Sequence, residues 1–185
     1  MKKWFTYGAI FLSVYLVFAI ALMPVNFVLN KVNLPKDVKI LGAKGTIWNA
    51  SIEEVIHPEI MLNNVNAQVD VLSIFTFNPQ VDITFGDSFT NTPEGKLTLS
   101  GLFADLTIED GIVLVPSNEI AQRLPLPIPL VTNGNVKLTI NQFVLGKPVC
   151  QAADGNVSWS NTSISALNET VKLGDLIAKL DCKDG

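Results

Sequence analysis

Two cysteines, Cys150 and Cys182, are the side chains of this sequence best suited to covalent chemistry. Thiols so far apart fit neither a zinc site nor a dithiol redox pair, which want a C-x-x-C spacing. In an oxidising compartment the default for them is a structural disulfide, contributing about 3–4 kcal/mol on the chain-entropy account. The alternative is two independent free thiols. His57, the one histidine, precedes Pro58 and reads as a surface loop residue rather than a catalyst or a ligand. Gly42-Ala43-Lys44-Gly45-Thr46 has the composition of a phosphate loop, but the order Lys-Gly-Thr is wrong for one, and Gly45 fits a hairpin better. The adjacent acids Glu53-Glu54 and Glu109-Asp110 project to opposite sides of an extended chain, so adjacency does not make them a general acid–base pair. No nucleophile elbow, H-E-x-x-H or cysteine–histidine cluster is present. The expectation is a protein that is not an enzyme, with no catalytic residue, no metal site and no cofactor.

The element that decides where any such chemistry takes place lies at the N-terminus. No charged residue falls between Lys3 and Lys31, and Trp4 to Met23 is apolar apart from small hydroxyl residues and two tyrosines. Twenty residues in a helix span roughly 30 Å, the thickness of the hydrocarbon core of a bilayer. A cleaved secretory signal is the competing reading, because Lys2 and Lys3 make a basic start and Ala19-Ile20-Ala21 is an A-x-A sequence. The run is longer than the 7–15 apolar residues typical of a cleaved signal, so retention as a single-pass anchor is preferred. The positive-inside rule then places residues 1–3 in the cytoplasm and the rest outside it, where oxidation of Cys150 and Cys182 is the default. Val25, Val28, Leu29 and Val32 recur at helical spacing and predict a short amphipathic connector over residues 24–35, ended by Leu34-Pro35.

Beyond the connector, residues 36–185 have the length of one domain with a hydrophobic core of its own. From Lys31 onward the chain holds 11 of the 13 basic residues and all 17 acidic ones, a net of −6. That balance disfavours nucleic acid and anionic headgroups as partners. The sequence names no small-molecule ligand. Strict alternation of apolar and polar residues marks strands: Val65, Ala67, Val69 and Val71; Val81, Ile83 and Phe85; Leu97 and Leu99; Leu102, Ala104, Leu106 and Ile108; Val136, Leu138 and Ile140; Val157 and Trp159. Turn chemistry separates them at Gly86-Asp87, Asn91 to Gly95, Asp110-Gly111, Asn133-Gly134 and Asp154-Gly155. The fold class expected is all-β, an antiparallel twisted sheet or meander with one wet face, behind one N-terminal transmembrane helix. Asn118 to Arg123 predicts a short helix, and the alternate prolines of Leu124 to Leu130 an extended connector. Trp48 and Trp159 are expected as core or sheet-packing aromatics. Leu176, Ala178, Leu180 and Cys182 share one face, which turns Cys182 toward the core. Asp184-Gly185 is a hairpin signal at the last residues of the sequence.

The order of several short patterns is more specific than any one of them. After the lysine-flanked anchor comes L-P-x-x-V-x-L-x-G-x-x-G-T-[LI]-W, here Leu34, Pro35, Val38, Ile40, Gly42, Gly45, Thr46, Ile47 and Trp48. Then follow L-P-L-P-x-P-L from Leu124, C-Q-A-x-x-G-x-[VL]-x-W from Cys150 to Trp159, and L-G-D-x-x-A-x-L-x-C-x-D-G from Leu173 to Gly185. This series, spanning nearly the whole chain, resembles the type II secretion system protein N (general secretion pathway protein N) family. The resemblance implies a bitopic protein of the Gram-negative inner membrane, with a periplasmic β-domain that serves the export of folded proteins through an outer-membrane secretin. It implies other secretion components as partners, either the secretin or the inner-membrane platform, and brings no enzymatic activity or cofactor. Members of the family usually continue past the second cysteine with further strands, and this sequence departs from that pattern by stopping at Gly185. The expected function is docking or stabilising those components. The alternative is a membrane-anchored module whose sheet binds an envelope lipid or other ligand.

Overall fold

The computed structural model describes residues 2–31, 37–58, 60–87, 92–101, 106–123, 131–146, 150–166 and 169–183. A helix, α1 (Lys2–Ala21), leads through Pro24 into a short one, α2 (Val25–Leu29). The ten strands that follow are β1 (Lys39–Leu41), β2 (Lys44–Thr46), β3 (Asn49–His57), β4 (Ile60–Asp70), β5 (Gln80–Phe85), β6 (Glu94–Ser100), β7 (Thr107–Pro116), β8 (Val131–Leu145), β9 (Cys150–Ala166) and β10 (Glu169–Lys183). Two helical turns interrupt them, α3 (Val71–Phe75) after β4 and α4 (Ser117–Arg123) after β7. All ten strands belong to one sheet. From β3 to β10 each strand pairs antiparallel with the next in sequence, while β1 and β2 share the outer side of β3. The antiparallel meander expected from the alternation is what forms.

Directly paired residues of an antiparallel sheet share a face, so the register shows where the apolar parity goes. One row runs Val69, Val81, Leu99, Ile108, Phe143, Ala153, Cys182 across seven strands. Another runs Val115, Val136, Trp159, Leu176. The opposite face carries Asp82, Thr98, Glu109, Lys137 and Ser158. This is the expected division into one apolar and one wet face.

The expected core does not form. Among the described residues the buried apolar side chains are Val25, Ala50, Val65 and Cys150, and the largest fully buried side chain is Thr162. A sheet buries its apolar face only against a second layer, and all ten strands lie in one layer. Val81, Leu97, Leu99, Ile108, Leu138 and Val157 are therefore half-buried, shielded by their neighbours in the sheet. Cys182, predicted to face a core, is half-exposed on a strand whose other described positions are exposed.

Three predicted turns are not turns. Asp110-Gly111 lies inside β7, Asn133-Gly134 inside β8 and Asp154-Gly155 inside β9, each where the register shifts. Asp110 has φ +50°, Gly134 +101° and Asn161, across the ladder from Gly134, +54°. A β-bulge uses the same left-handed backbone as a tight turn, so these residue types serve both. The bulges let β8, β9 and β10 run 15, 17 and 15 residues while the strands bend. Gly86-Asp87 does leave the sheet, whereas Glu94 and Gly95 already belong to β6.

Val71, read as the end of a strand, instead opens α3, because the Asp70 carboxylate caps the turn by accepting the Leu72 N–H at 3.0 Å. His57 ends β3, paired with Ile60, rather than lying in a loop. The helix expected over Asn118 to Arg123 is α4. The readings on Val32, Leu34-Pro35, Asn91, Leu102, Ala104, Leu124 to Leu130 and Asp184-Gly185 fall outside the described residues.

Among the described residues no helix is long and apolar enough to cross a membrane.

Candidate functional site

The sheet has two edges, and the residues singled out in the sequence cluster near them. At the first edge β2 and β3 form a hairpin whose two-residue turn is Ile47-Trp48. Gly45 sits in it with φ +93°, and a β-carbon there would collide with the Asn49 carbonyl oxygen, so no other residue fits without a shift. Lys44 pairs with Glu53 across the hairpin, both side chains largely exposed. The loop once readable as phosphate-binding is thus a strand arm.

Trp48 does more than pack. It is half-buried, and its indole N–H donates to the Ile20 carbonyl at 3.1 Å. Ile20 lies in the last turn of α1, and its carbonyl also accepts the Met23 N–H at 3.3 Å. The Ile47 N–H donates to the Met23 carbonyl at 3.0 Å, Pro24 bridges to Thr46, and the Asn26 side-chain amide donates to the Ala43 carbonyl at 3.1 Å. Val25 is buried at this junction. The helix is thereby latched to the first hairpin. An indole N–H needs an acceptor once half-buried, and that need was the one signal in the sequence for this role.

At the other edge, Cys150 and Cys182 are disulfide-bonded across β9 and β10, with Cα atoms 6.7 Å apart. They are not directly opposite: Cys182 pairs with Ala153, so the bridge runs diagonally over the ladder. Cys150 is buried. Trp159 is half-buried on the apolar face between Val136 and Leu176, its indole N–H donating to the Asn133 carbonyl at 3.3 Å beside the Gly134 bulge. The Asp175 carboxylate accepts the N–H of Asn161 at 3.0 Å and ties the bulge of β10 to that of β9. The structure brings the two cysteines together and puts Gly45 and Trp48 in one hairpin, with Trp159 apart from both.

Among the described residues β9 is the one strand paired with β10, and none lies along the outer side of its fifteen residues. Leu176 and Leu180 continue the apolar face out to it, 44% and 39% exposed. No group of three or more histidine, cysteine or acidic side chains able to hold a metal occurs among the described residues.

These features define a class: a single-sheet antiparallel β protein latched to an N-terminal helix, with one apolar face. Comparison narrows it. The family model for type II secretion system protein N matches residues 36–185, and the chain belongs to that family. It is 26% identical to the type II secretion system protein N of Vibrio cholerae serotype O1 over all of its length and 73% of that relative. To the Aeromonas hydrophila protein of the same name it is 29% identical, again over all of this chain and 73% of the other. The Klebsiella pneumoniae protein is 24% identical over 98% of this chain and 69% of its own. No solved structure matches.

Proposed function

We propose that the protein is a non-enzymatic accessory component of the type II secretion machinery, anchored in the inner membrane by its N-terminal helix. The uncharged stretch from Trp4 to Asn30, most of it in α1, supports the anchor. Lys2 and Lys3 support an orientation with the sheet in the periplasm, and a disulfide suits that compartment. The sheet docks a neighbouring component, the secretin or the inner-membrane platform, by accepting one of its strands along β10. The observation that carries this reading is that no strand among the described residues pairs with the outer side of β10, whose backbone there offers donors and acceptors at every second residue.

Photo-crosslinking residues at Ile177 and Lys179, in native membranes, test it. Adducts to secretion-machine proteins are the expected result, and no protein adduct at either position would overturn docking through this edge.

A second reading is favoured by a separate observation. Among the described residues no second layer covers the apolar face, as a groove for an acyl chain or another apolar envelope ligand requires. Crosslinkers at Leu138 and Leu180 that capture lipid, with no protein captured along β10, would replace the docking role by lipid or ligand binding.

A further inference from the structure

We propose that the turn after β4 is a second membrane contact, a rigid apolar knob that enters the surface of the same bilayer that α1 crosses. The proposal rests on the anchor reading above. From Val71 through Val81 the chain carries no charge, and three of its large apolar side chains lie almost fully open, Leu72 at 75%, Phe75 at 77% and Phe77 at 89%. Exposed apolar groups gathered on one turn, without charge, mark an interaction site, and phenylalanine and leucine are among the side chains that interfacial segments bury at the boundary of headgroups and acyl chains.

The exposure is not looseness. Ser73 is buried, its hydroxyl donating to the Asp70 carbonyl and accepting the Gln80 N–H at 2.8 Å. Its carbonyl accepts the Thr76 hydroxyl at 2.8 Å and the N–H groups of Thr76 and Asn78 at 3.2 and 3.3 Å. Phe77 sits at φ +57°, a conformation that bulky L-residues rarely adopt. The bonds on Ser73 thus hold the chain in a shape that presents the rings outward.

The position selects a bilayer over a protein partner. The Val69 N–H, one residue before the Asp70 cap, donates to the Trp48 carbonyl at 2.9 Å, and the indole of that same Trp48 binds the last turn of α1. The knob and the helix exit therefore share one end of the sheet. The elbow between α1 and α2, where Phe18, Leu22 and Phe27 line an apolar cleft of about 440 Å³, is at that end as well. Because the knob is uncharged, it enters by burying apolar surface and its contact is insensitive to salt.

The test uses the full chain in nanodiscs of phosphatidylethanolamine and phosphatidylcholine with brominated acyl chains. A small fluorescent amino acid replaces Phe11 in α1, Phe75 in the knob, or Met61 at the opposite end of β4. Quenching at 11 and 75 with none at 61, unchanged by raised salt, is the expected pattern. Quenching at 11 alone overturns the knob and leaves the anchor standing. No quenching at 11 overturns the anchor and the proposal together, and equal quenching at 75 and 61 overturns the orientation on which it depends. On the unaltered protein, amide exchange at Leu72 to Phe77 should slow when detergent is replaced by the nanodisc. Equal rates in the two would count against insertion.

Discussion

The two edges of the sheet are built on opposite plans. The first is short and closed: β1 and β2 have three residues each, Gly42 and Ala43 break the edge between them, and Pro24 and the Met23 carbonyl take up bonding positions next to β2. These are devices by which proteins blunt an edge against stray pairing. The last strand is long, exposed over nearly all its described length, and held to the sheet by one ladder and one disulfide. Along it stand six charged residues, Glu169, Lys172, Asp175, Lys179, Asp181 and Lys183, and a bulge at Gly174. The difference teaches how unlike the two sides of one sheet can be: at the helix-bearing edge the chain satisfies its own backbone, whereas among the described residues no strand takes up the outer side of β10.

This contrast can be attacked from both sides. The largest effect is expected from Cys150→Ser with Cys182→Ser, which removes the tie on β10 and should lower stability by about 3–4 kcal/mol. Chemical denaturation followed by circular dichroism reads it, and amide exchange should place the loss in β9 and β10 rather than β3. Gly45→Ala attacks the closed edge. With the backbone at φ +93° and a carbonyl in the way, a loss of about 2 kcal/mol is expected from the same denaturation curves. Trp48→Phe keeps a ring but removes the donor to Ile20, for about 1 kcal/mol. Its sharper readout is a spin-label distance between α1 and β3, which should broaden; an unchanged distribution would mean that the latch does not fix the helix. The smallest change is expected from Glu53→Gln. It breaks an ion pair exposed on both sides and should shift stability by about 0.5 kcal/mol or less, measured as a thermal midpoint at low salt.

What the sequence made legible follows from physics that is local. Alternation along a strand depends on its own residues, so the strands over Val81 to Phe85, Val136 to Ile140 and Val157 to Trp159 were readable, as was the helix ending at Arg123. Whether Asn133-Gly134 turns the chain or bulges it depends on what lies across the ladder, which no window of sequence contains. The absence of a second layer was hidden for the same reason: Leu138 reads identically whether or not something covers it. Trp48 looked like a packing residue because aromatics usually are, and its hydrogen bond is to a residue 28 positions away. The cap at Asp70 was visible in principle, but the valines before it made continuation of the strand the stronger pattern.

The single layer has one more consequence. In a molecule built around a common core, removing an element exposes every other one. Here the strand interactions run between neighbours, so stability is close to a sum of adjacent ladders, as in repeat arrays. Damage or growth at one end stays local. Such a sheet behaves as a modular ribbon, in which a terminal strand can be altered while the helix latch at the other end is left untouched.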